Sequence, residues 1–368
     1  MAPIVWPGAR PSARGATVDA AIRGTTAVDG GFVTVNRWAP RGMLRTVGHP
    51  RRLWQALQHV PVGIRIDPDG RDLPPGQQHI VRWTYDPARH GERLCITFMS
   101  RGTFLTQASR WRLVAGVVTR VVASVPGLVF HDVPVDLSDC GDSTVPPDVF
   151  RFVRRPGDVH DLLPNPALLA ARPHAGRQLP WERKTGTVFF RGASTGSRDY
   201  ATNTRVALCL CARAIPDADC RLSAFPQVAP EFLARARRDG IVGGRSAPAA
   251  LARHRYLVDV DGNTSSWDRF ALIGSFGGLP IRFETAWEEF WHPLARDGEH
   301  HVAATRDTLR DVVERLRREP DRARHVAASA HRLAVDALGP RAVEHEFASS
   351  WLRRCGIFPG GPTRPARA

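Results

Sequence analysis

The chain has 368 residues, of which 43% are hydrophobic, and its formal net charge is +15. This length predicts two domains with separate cores, and the absence of any run of about 18 apolar residues excludes a membrane-spanning helix. Lys184 is the only lysine, so the positive charge is arginine spread along the chain. Because no nucleic-acid-binding motif accompanies it, we expect no nucleic-acid partner. A basic face that contacts an anionic glycolipid or membrane surface remains an expectation.

The N-terminal sequence lacks a basic stretch followed by an apolar core, so we expect no secretory signal. The six cysteines are scattered without a CxxC pair, which is typical of reduced thiols rather than of a disulfide framework. Both features favour a cytoplasmic protein, and the basic composition extends this expectation to the inner face of the membrane.

The first half of the chain predicts a loose arm followed by a domain. Residues 1–45 are rich in Pro, Gly, Ala and Thr and show weak periodicity, which is typical of an arm. Residues 46–175 form the predicted first domain, with strands at 60–66, 93–100, 128–137 and 150–154 and a helix at 109–124. The strand at 128–137 runs into a polar turn that contains Asp139 and Asp142.

The second half is more regular, and residues 176–335 form the predicted second domain. A strand is predicted at 188–191, and helices are predicted at 204–214, near 250, at 308–316, at 322–337 and, in the final segment 336–368, at 342–352. Strands and helices alternate in both halves, so the sequence predicts an α/β fold with two parallel sheets.

The most informative stretch begins with the apolar strand 256–260. The strand ends at Asp261-Gly262, and a helix is predicted at 267–276, with Ser265 or Ser266 as its N-cap. Gly277-Gly278 ends the helix and the next strand follows, so the stretch is a βαβ unit. The turn after its first strand is where an open α/β sheet binds ligands, and we expect it to hold an anion such as phosphate. Arg269 is predicted one turn inside the helix, with a fork that suits phosphate oxygens.

Two blocks of this sequence resemble the signatures of glycosyltransferase family 90. The first is Val258-Asp259-Val260-Asp261-Gly262-Asn263 with Ser266, Arg269 and a later Trp287-Glu288-Glu289-Phe290. The second is Trp181-Glu182-Arg183, followed by Phe189-Phe190-Arg191-Gly192-Ala193-Ser194-Thr195-Gly196-Ser197-Arg198-Asp199. The resemblance implies a GT-B architecture, in which two Rossmann-like domains face each other across a cleft and the last helices cross back to the first domain. It implies an inverting transfer of a sugar from a UDP-sugar, with xylose or glucose as the expected sugar.

The resemblance also assigns a donor site. Arg269 and Arg198 match family arginines that contact the nucleotide diphosphate. Asn263, Ser265 and Ser266 supply turn donors, and Gly262 and Thr264 complete the turn. Ala193 or Ser194 fills the neighbouring donor contact. Glu284, after the second strand of the βαβ unit, is the expected acceptor for ribose hydroxyls. Arg191 is alternatively structural, through a bond to a backbone carbonyl.

The same resemblance places the catalytic base at Asp139, after a strand of the first domain. Animal members of the family continue with an aromatic residue and a proline, whereas this chain continues with Cys140-Gly141-Asp142. Asp136 and Asp142 are therefore rivals for the role. Asp161 and Pro164 lie in a loop that resembles the segment facing the acceptor and the sugar.

Asp259 and Asp261 form a DxD triplet, the metal-binding signature of another class of glycosyltransferases. Residues two apart on a strand face the same side. Because the surrounding pattern is the donor turn of a GT-B family, we expect no metal and no cofactor beyond the UDP-sugar. His292 and the pair His300-His301 lack further ligands at zinc spacing.

The predicted acceptor is a hydroxyl of a cell-envelope glycan such as lipopolysaccharide or capsule. The alternative is a non-catalytic nucleotide- or carbohydrate-binding protein of the same fold, which the departure at Cys140-Gly141 leaves open.

Overall fold

The computed structural model describes residues 28–29, 32–35, 60–66, 79–99, 107–138, 145–170 and 178–357. The strands are β1 (Val28–Asp29), β2 (Phe32–Val35), β3 (Val62–Ile66), β4 (Ile80–Tyr85), β5 (Leu94–Phe98), β6 (Phe130–Asp136), β7 (Thr185–Ala193), β8 (Ala218–Ala224), β9 (His254–Val260), β10 (Leu279–Phe283) and β11 (Val302–Ala304). The helices are α1 (Pro87–His90), α2 (Ala108–Ser124), α3 (Pro166–Ala170), α4 (Thr204–Cys211), α5 (Pro230–Arg238), α6 (Arg269–Ser275), α7 (Leu309–Arg318), α8 (Pro320–Asp336) and α9 (Pro340–Arg354). Within these ranges, no helix has the length and apolar character needed to cross a bilayer.

The first sheet has six strands in the order β1-β2-β3-β5-β4-β6. Only β3 and β5 are parallel, and every other pair is antiparallel. The parallel sheet predicted for this half is therefore wrong. The reason is β4, which the sequence reading missed. Its connection to β5 is shorter than the dozen or so residues that a parallel crossover needs, so the two strands form an antiparallel pair.

Two strands lie in the segment predicted to be a loose arm. β2 pairs with β3, with Val33 opposite Ile64, and β1 pairs with β2. The prediction for residues 1–45 is corrected at these positions. The run Phe32-Val33-Thr34-Val35 has the aromatic and β-branched residues that favour strands, but it is too short to stand out among the surrounding prolines and glycines.

The second sheet has five parallel strands in the order β11-β10-β9-β7-β8. Counted within this half of the chain, the order is 2-1-3-4-5, that of a doubly wound sheet whose strand order reverses between β7 and β9. The chain leaves β7 and β9 at the same edge of the sheet. The predicted α/β fold of two sheet-based domains is confirmed, with a parallel, Rossmann-like sheet in the second.

The last helix, α9, packs against the core of the first domain. The Trp351 ring lies edge-on to Trp83 at 6.1 Å and to Phe130 at 5.5 Å. Trp351 is fully buried together with Phe347. The chain thus returns from the second sheet to the first, which holds the two domains together on one side.

The single lysine fixes the end of α6. The Lys184 ammonium donates to the carbonyls of Ala252 and Phe276, each at 2.7 Å, and Phe276 is the residue that ends the helix. Burial lowers the pKa of Lys184 to about 8 from its ordinary value of 10.5. The ammonium therefore joins the C-terminal end of α6 to the segment that precedes β9.

Replacing Lys184 with methionine is expected to lower the free energy of unfolding by about 2–4 kcal/mol near pH 7, because two buried carbonyls lose their donor. The unfolded chain keeps the lysine proton to higher pH than the folded chain does. The stability of the wild type should therefore rise relative to Lys184→Met as the pH increases from about 8 towards 10.5. Urea unfolding of both proteins below and above pH 8 measures this difference. A difference that stays constant with pH would contradict the lowered pKa.

Candidate functional site

The two family-like blocks meet at the switch point of the second sheet. The loop after β7 and the loop after β9 are joined directly, because the Gly196 N–H donates to Asn263 Oδ1 at 3.0 Å. Asn203 holds the first loop through bonds from Nδ2 to the carbonyls of Ser194, at 3.1 Å, and Ser197, at 2.7 Å. In a sheet of this order, the crevice outside these strand ends is the expected ligand site.

Arg269 lies at this crevice. Its Nη2 donates to the Arg191 carbonyl at 3.2 Å, and its guanidinium lies 4.9 Å from the centre of the Phe190 ring. Burial lowers the pKa of Arg269, while Asp259 and Asp268 raise it. No carboxylate in the described parts of the chain lies within ion-pair distance, so most of its fork is available to an anion.

The start of α6 differs from the prediction. Arg269 is the first residue of the helix rather than one turn inside it, and the N-cap position belongs to Asp268, which makes no side-chain capping bond. Ser265 instead accepts from the Trp267 N–H at 3.3 Å. The capping role predicted for Ser265 or Ser266 is therefore wrong, because the polar turn continues for two more residues before the backbone becomes helical.

Arg205 is the main residue that the sequence reading missed. It is 8% exposed, and its guanidinium donates to the carbonyls of Asp261 at 2.9 Å and Ala193 at 3.0 Å and to Thr195 Oγ at 2.7 Å. One buried cation thereby holds the ends of both strands and fixes the two loops relative to each other. Nothing in an arginine-rich sequence distinguishes this arginine from its neighbours.

The hydrogen bonds of Arg205 to the two strand ends, here called the Arg205 brace, require a glycine at position 262. A Cβ at position 262 would lie 2.8 Å from Arg205 Nη2 and 2.8 Å from Thr195 Oγ. Close approach, and not a positive φ, is therefore the reason for a glycine at position 262.

Replacing Gly262 with alanine should displace the brace, lower the free energy of unfolding by about 1–3 kcal/mol and weaken UDP binding. Gly244→Ala is the matched control, because a Cβ there meets no atom within 4 Å. Calorimetry with UDP and urea unfolding provide the two readings. Equal UDP affinity in both variants would show that the brace is not needed.

The remaining turn residues divide into buried and accessible ones. Ser194 is 1% exposed at the end of β7, and its hydroxyl has no partner among the described residues. Thr264 and Ser265 are 0% and 3% exposed, and their places in the donor site stay predictions. Asn263 and Ser266 are half-buried and remain the predicted donors.

Two other predicted donor residues have distinct environments. Arg198 is exposed in the loop after β7, on the same loop as Gly196. Glu284 follows β10 and accepts from the Arg306 backbone N–H at 2.9 Å, from Nε at 3.0 Å and from Nη2 at 3.0 Å. These bonds lower the pKa of Glu284. They give it a structural role, and its contact with a ribose stays a prediction.

On the first domain, Asp139 and its rival Asp142 lie outside the described residues. The other rival, Asp136, is 3% exposed at the end of β6. It accepts from the Ser138 N–H at 2.8 Å and the Ser138 hydroxyl at 2.9 Å, and its Oδ2 lies 3.7 Å from Arg151 Nε. These contacts give Asp136 a structural role at the strand end, and its candidacy for the base stays a prediction.

Only one of the two residues predicted for the acceptor side is accessible to solvent. Asp161 is exposed and pairs with Arg354 Nη2 at 3.0 Å, at the end of α9. Pro164 is buried. Asp161 therefore ties the loop to the returning helix, and Pro164 shapes the loop from within.

The two carboxylates of the DxD triplet are engaged by the protein. Asp259 Oδ2 lies 3.6 Å from Arg282 Nε. Asp261 accepts from the Ala286 N–H at 2.7 Å and from the Thr285 hydroxyl at 3.0 Å, and burial raises its pKa to about 6. Across the described ranges, no cluster of three His, Cys, Asp or Glu side chains is arranged to hold a metal ion.

A buried acid lies beneath the donor turn. Glu289 is 1% exposed, and burial raises its pKa to about 8, with Ser265 and Trp291 beside it. Neither carboxyl oxygen has a hydrogen-bond partner of good geometry among the described residues. Burial thus favours the protonated, neutral form of Glu289, which lies beside Ser265 of the turn. The second glutamate of Glu288-Glu289 was part of the family-like block, but its burial was not predicted.

No protein-family model matches the sequence, and a search of curated proteins gave no match. Solved structures are similar at low identity. They include HepE from Anabaena in complex with UDP-glucose (11% identity, 45% of this chain, 48% of that chain, TM-score 0.35). Another is a glycosyltransferase from Rickettsia africae (7% identity, 56% of this chain, 57% of that chain, TM-score 0.40). A third is the C-terminal domain of LpcC, a glycosyl transferase group 1 family protein from Francisella tularensis (12% identity, 46% of this chain, 94% of that chain, TM-score 0.30). The chain matches about half the length of the first two.

Proposed function

We propose that the protein is an inverting glycosyltransferase with a GT-B arrangement, related to family 90, that uses a UDP-sugar. The observation that carries the proposal is the convergence of both family-like blocks at the switch point of the second sheet. There the Gly196 N–H donates to Asn263 Oδ1, and Arg205 holds the ends of both strands. The Arg269 guanidinium lies at the same crevice and has no carboxylate partner among the described residues. Cations and backbone N–H groups at one crevice are the donor set that a diphosphate needs.

In the proposed reaction, an acceptor hydroxyl attacks the anomeric carbon of the sugar. Asp139 takes the hydroxyl proton, the new bond to the acceptor oxygen forms, and the bond to the diphosphate oxygen breaks. UDP leaves with the bonding electron pair. Arg269, Arg198 and the turn at 262–266 stabilise the charge that develops on the leaving diphosphate.

The proposed reaction needs no metal ion. Arginines supply the positive charge at the diphosphate that a divalent cation supplies in DxD enzymes. Asp259 and Asp261, the residues that would have to hold such a cation, are instead bonded to Arg282 and to the segment after β10. Moving them to a cation would break these contacts.

We propose xylose or glucose as the sugar, and as acceptor a cell-envelope glycan or glycolipid, such as lipopolysaccharide or capsule, handled in the cytoplasm at the inner face of the membrane. The basic composition, with a net charge of +15, favours contact with an anionic glycolipid surface. We propose no nucleic-acid partner.

A panel of UDP-sugars tests the proposed function through two readings, thermal stabilisation and release of UDP. A ligand at 100 times its dissociation constant stabilises the folded state by about 2.7 kcal/mol, which raises the melting temperature. We expect both stabilisation and slow UDP release with one sugar. Stabilisation by UDP without release from any donor would favour the non-catalytic binding protein, and no stabilisation by any nucleotide would refute the proposal.

A further inference from the structure

Trp267 has an unusual backbone conformation near the end of the donor turn, the segment 261–268 that connects β9 to α6. Its φ is 63°, in the left-handed region that bulky residues rarely adopt. It lies between Ser266 and Asp268, directly before the helix that begins with Arg269. A strained residue at such a position persists only when its surroundings hold it there.

The Trp267 side chain contacts the other domain, while its backbone N–H donates to Ser265 Oγ within the turn at 3.3 Å. Its side chain packs against the core of the first domain. Its ring lies 6.4 Å from that of Phe152, and the Arg110 guanidinium lies 4.3 Å from the centre of the Trp267 ring. The side chain therefore leaves the domain whose turn carries it and binds the opposite side of the domain junction.

Arg110 connects this contact to the end of β6. It lies in the first turn of α2, and its Nη1 donates to the Leu137 carbonyl at 2.7 Å. Leu137 and Ser138 are the residues that follow β6. A chain of two contacts, Trp267 to Arg110 and Arg110 to Leu137, thus joins the donor turn to this strand end.

We propose that Trp267 is a positioning residue that couples the shape of the donor turn to the first domain through Arg110. When the ring is held by Arg110 and Phe152, the strained backbone of the turn is maintained and Arg269 begins its helix at the crevice. When the contact is lost, the turn relaxes. Binding of a nucleoside diphosphate at the turn and attachment of the turn to the first domain therefore favour each other. The choice of a nucleoside diphosphate as the ligand rests on the proposed function, whereas the coupling between the turn and the first domain does not.

Arg110→Met is the sharpest variant, because it removes the cation from the Trp267 ring without changing any residue of the turn itself. We expect it to weaken UDP binding by about 2- to 10-fold. Trp267→Ala should have an effect at least as large, and the double variant should bind no more weakly than Trp267→Ala alone. Arg110→Lys should recover part of the loss. Unchanged affinity in Arg110→Met, or losses that multiply in the double variant, would overturn the coupling.

A second contact between the domains provides a matched control. The Arg155 guanidinium lies 4.4 Å from the centre of the Trp287 ring, and Trp287 follows β10 rather than lying on the donor turn. Arg155→Met, the same substitution at this second contact, should leave UDP affinity unchanged. An equal loss in Arg155→Met and Arg110→Met would mean that any contact between the domains supports binding, which contradicts a specific role for Trp267.

A reading without ligand separates this inference from the proposed function. Hydrogen exchange of peptides covering residues 261–268 should be faster in Arg110→Met than in the wild type and unchanged in Arg155→Met. If the wild type bound no UDP, the proposed function would fail, and the exchange result would still decide the coupling. Equal exchange at 261–268 in the wild type and Arg110→Met would refute it.

Discussion

Turnover of the UDP-sugar is expected to fall by about 10²- to 10⁴-fold when Asp139 is replaced with asparagine, because the amide cannot take the proton of the acceptor hydroxyl. UDP affinity should remain near that of the wild type, since the donor turn belongs to the other domain. Initial rates of transfer and calorimetry with UDP give the two numbers.

Asp142→Asn is the matched control, because this carboxylate lies three positions away in the sequence. We expect it to retain most of its activity. Loss of turnover in Asp142→Asn with normal turnover in Asp139→Asn would move the base to Asp142. Asp136 is not a suitable control, because its carboxylate is bonded to Ser138 and lies 3.7 Å from Arg151, so its loss would disturb the strand end.

Replacing Arg269 with methionine is expected to weaken UDP binding by about 10- to 100-fold, the range that hydrogen bonds to a charged group contribute. The methionine keeps most of the apolar stem against Phe190. Arg269→Lys should recover little of the loss, because an ammonium lacks the fork that matches two phosphate oxygens. Isothermal calorimetry with UDP measures both variants.

Arg310 offers a control in the same domain. It is exposed on α7 and paired with Glu314, so Arg310→Met removes one positive charge without altering the crevice. Its UDP affinity should equal that of the wild type. Wild-type affinity in Arg269→Met would remove Arg269 from the diphosphate site, and equal losses in both variants would indicate a general effect of charge.

The sequence predicted three of the five strands of the second sheet, because their signals are local, and it missed β8 and β11. β7, β9 and β10 are apolar runs that end at glycines or carboxylates, and the turns after β7 and β9 carry the family-like residues. In the first sheet the pairing was predicted wrongly, because the sequence reading missed β4, which makes antiparallel pairs with both β5 and β6. β4 pairs with β6 although β5 and α2 lie between them in the chain, and no local sequence pattern predicts this pairing.

The same distinction applies to the site. Asn263, Ser194 and Arg269 were named as candidates because they lie on or beside the turns that follow β7 and β9. Arg205 acts on Asp261, and Trp267 acts on Arg110. These contacts join segments that only the folded chain brings together. For Trp267, a large aromatic residue within a polar turn was a signal that the sequence reading did not use.

A crystal structure of the protein with UDP tests the central claim most directly. The diphosphate should lie within hydrogen-bond distance of the Arg269 guanidinium, between the loop that contains Gly196 and the turn that contains Asn263. UDP bound elsewhere, or a divalent cation held between Asp259 and Asp261, would contradict a site that grips pyrophosphate with arginines and main-chain amides.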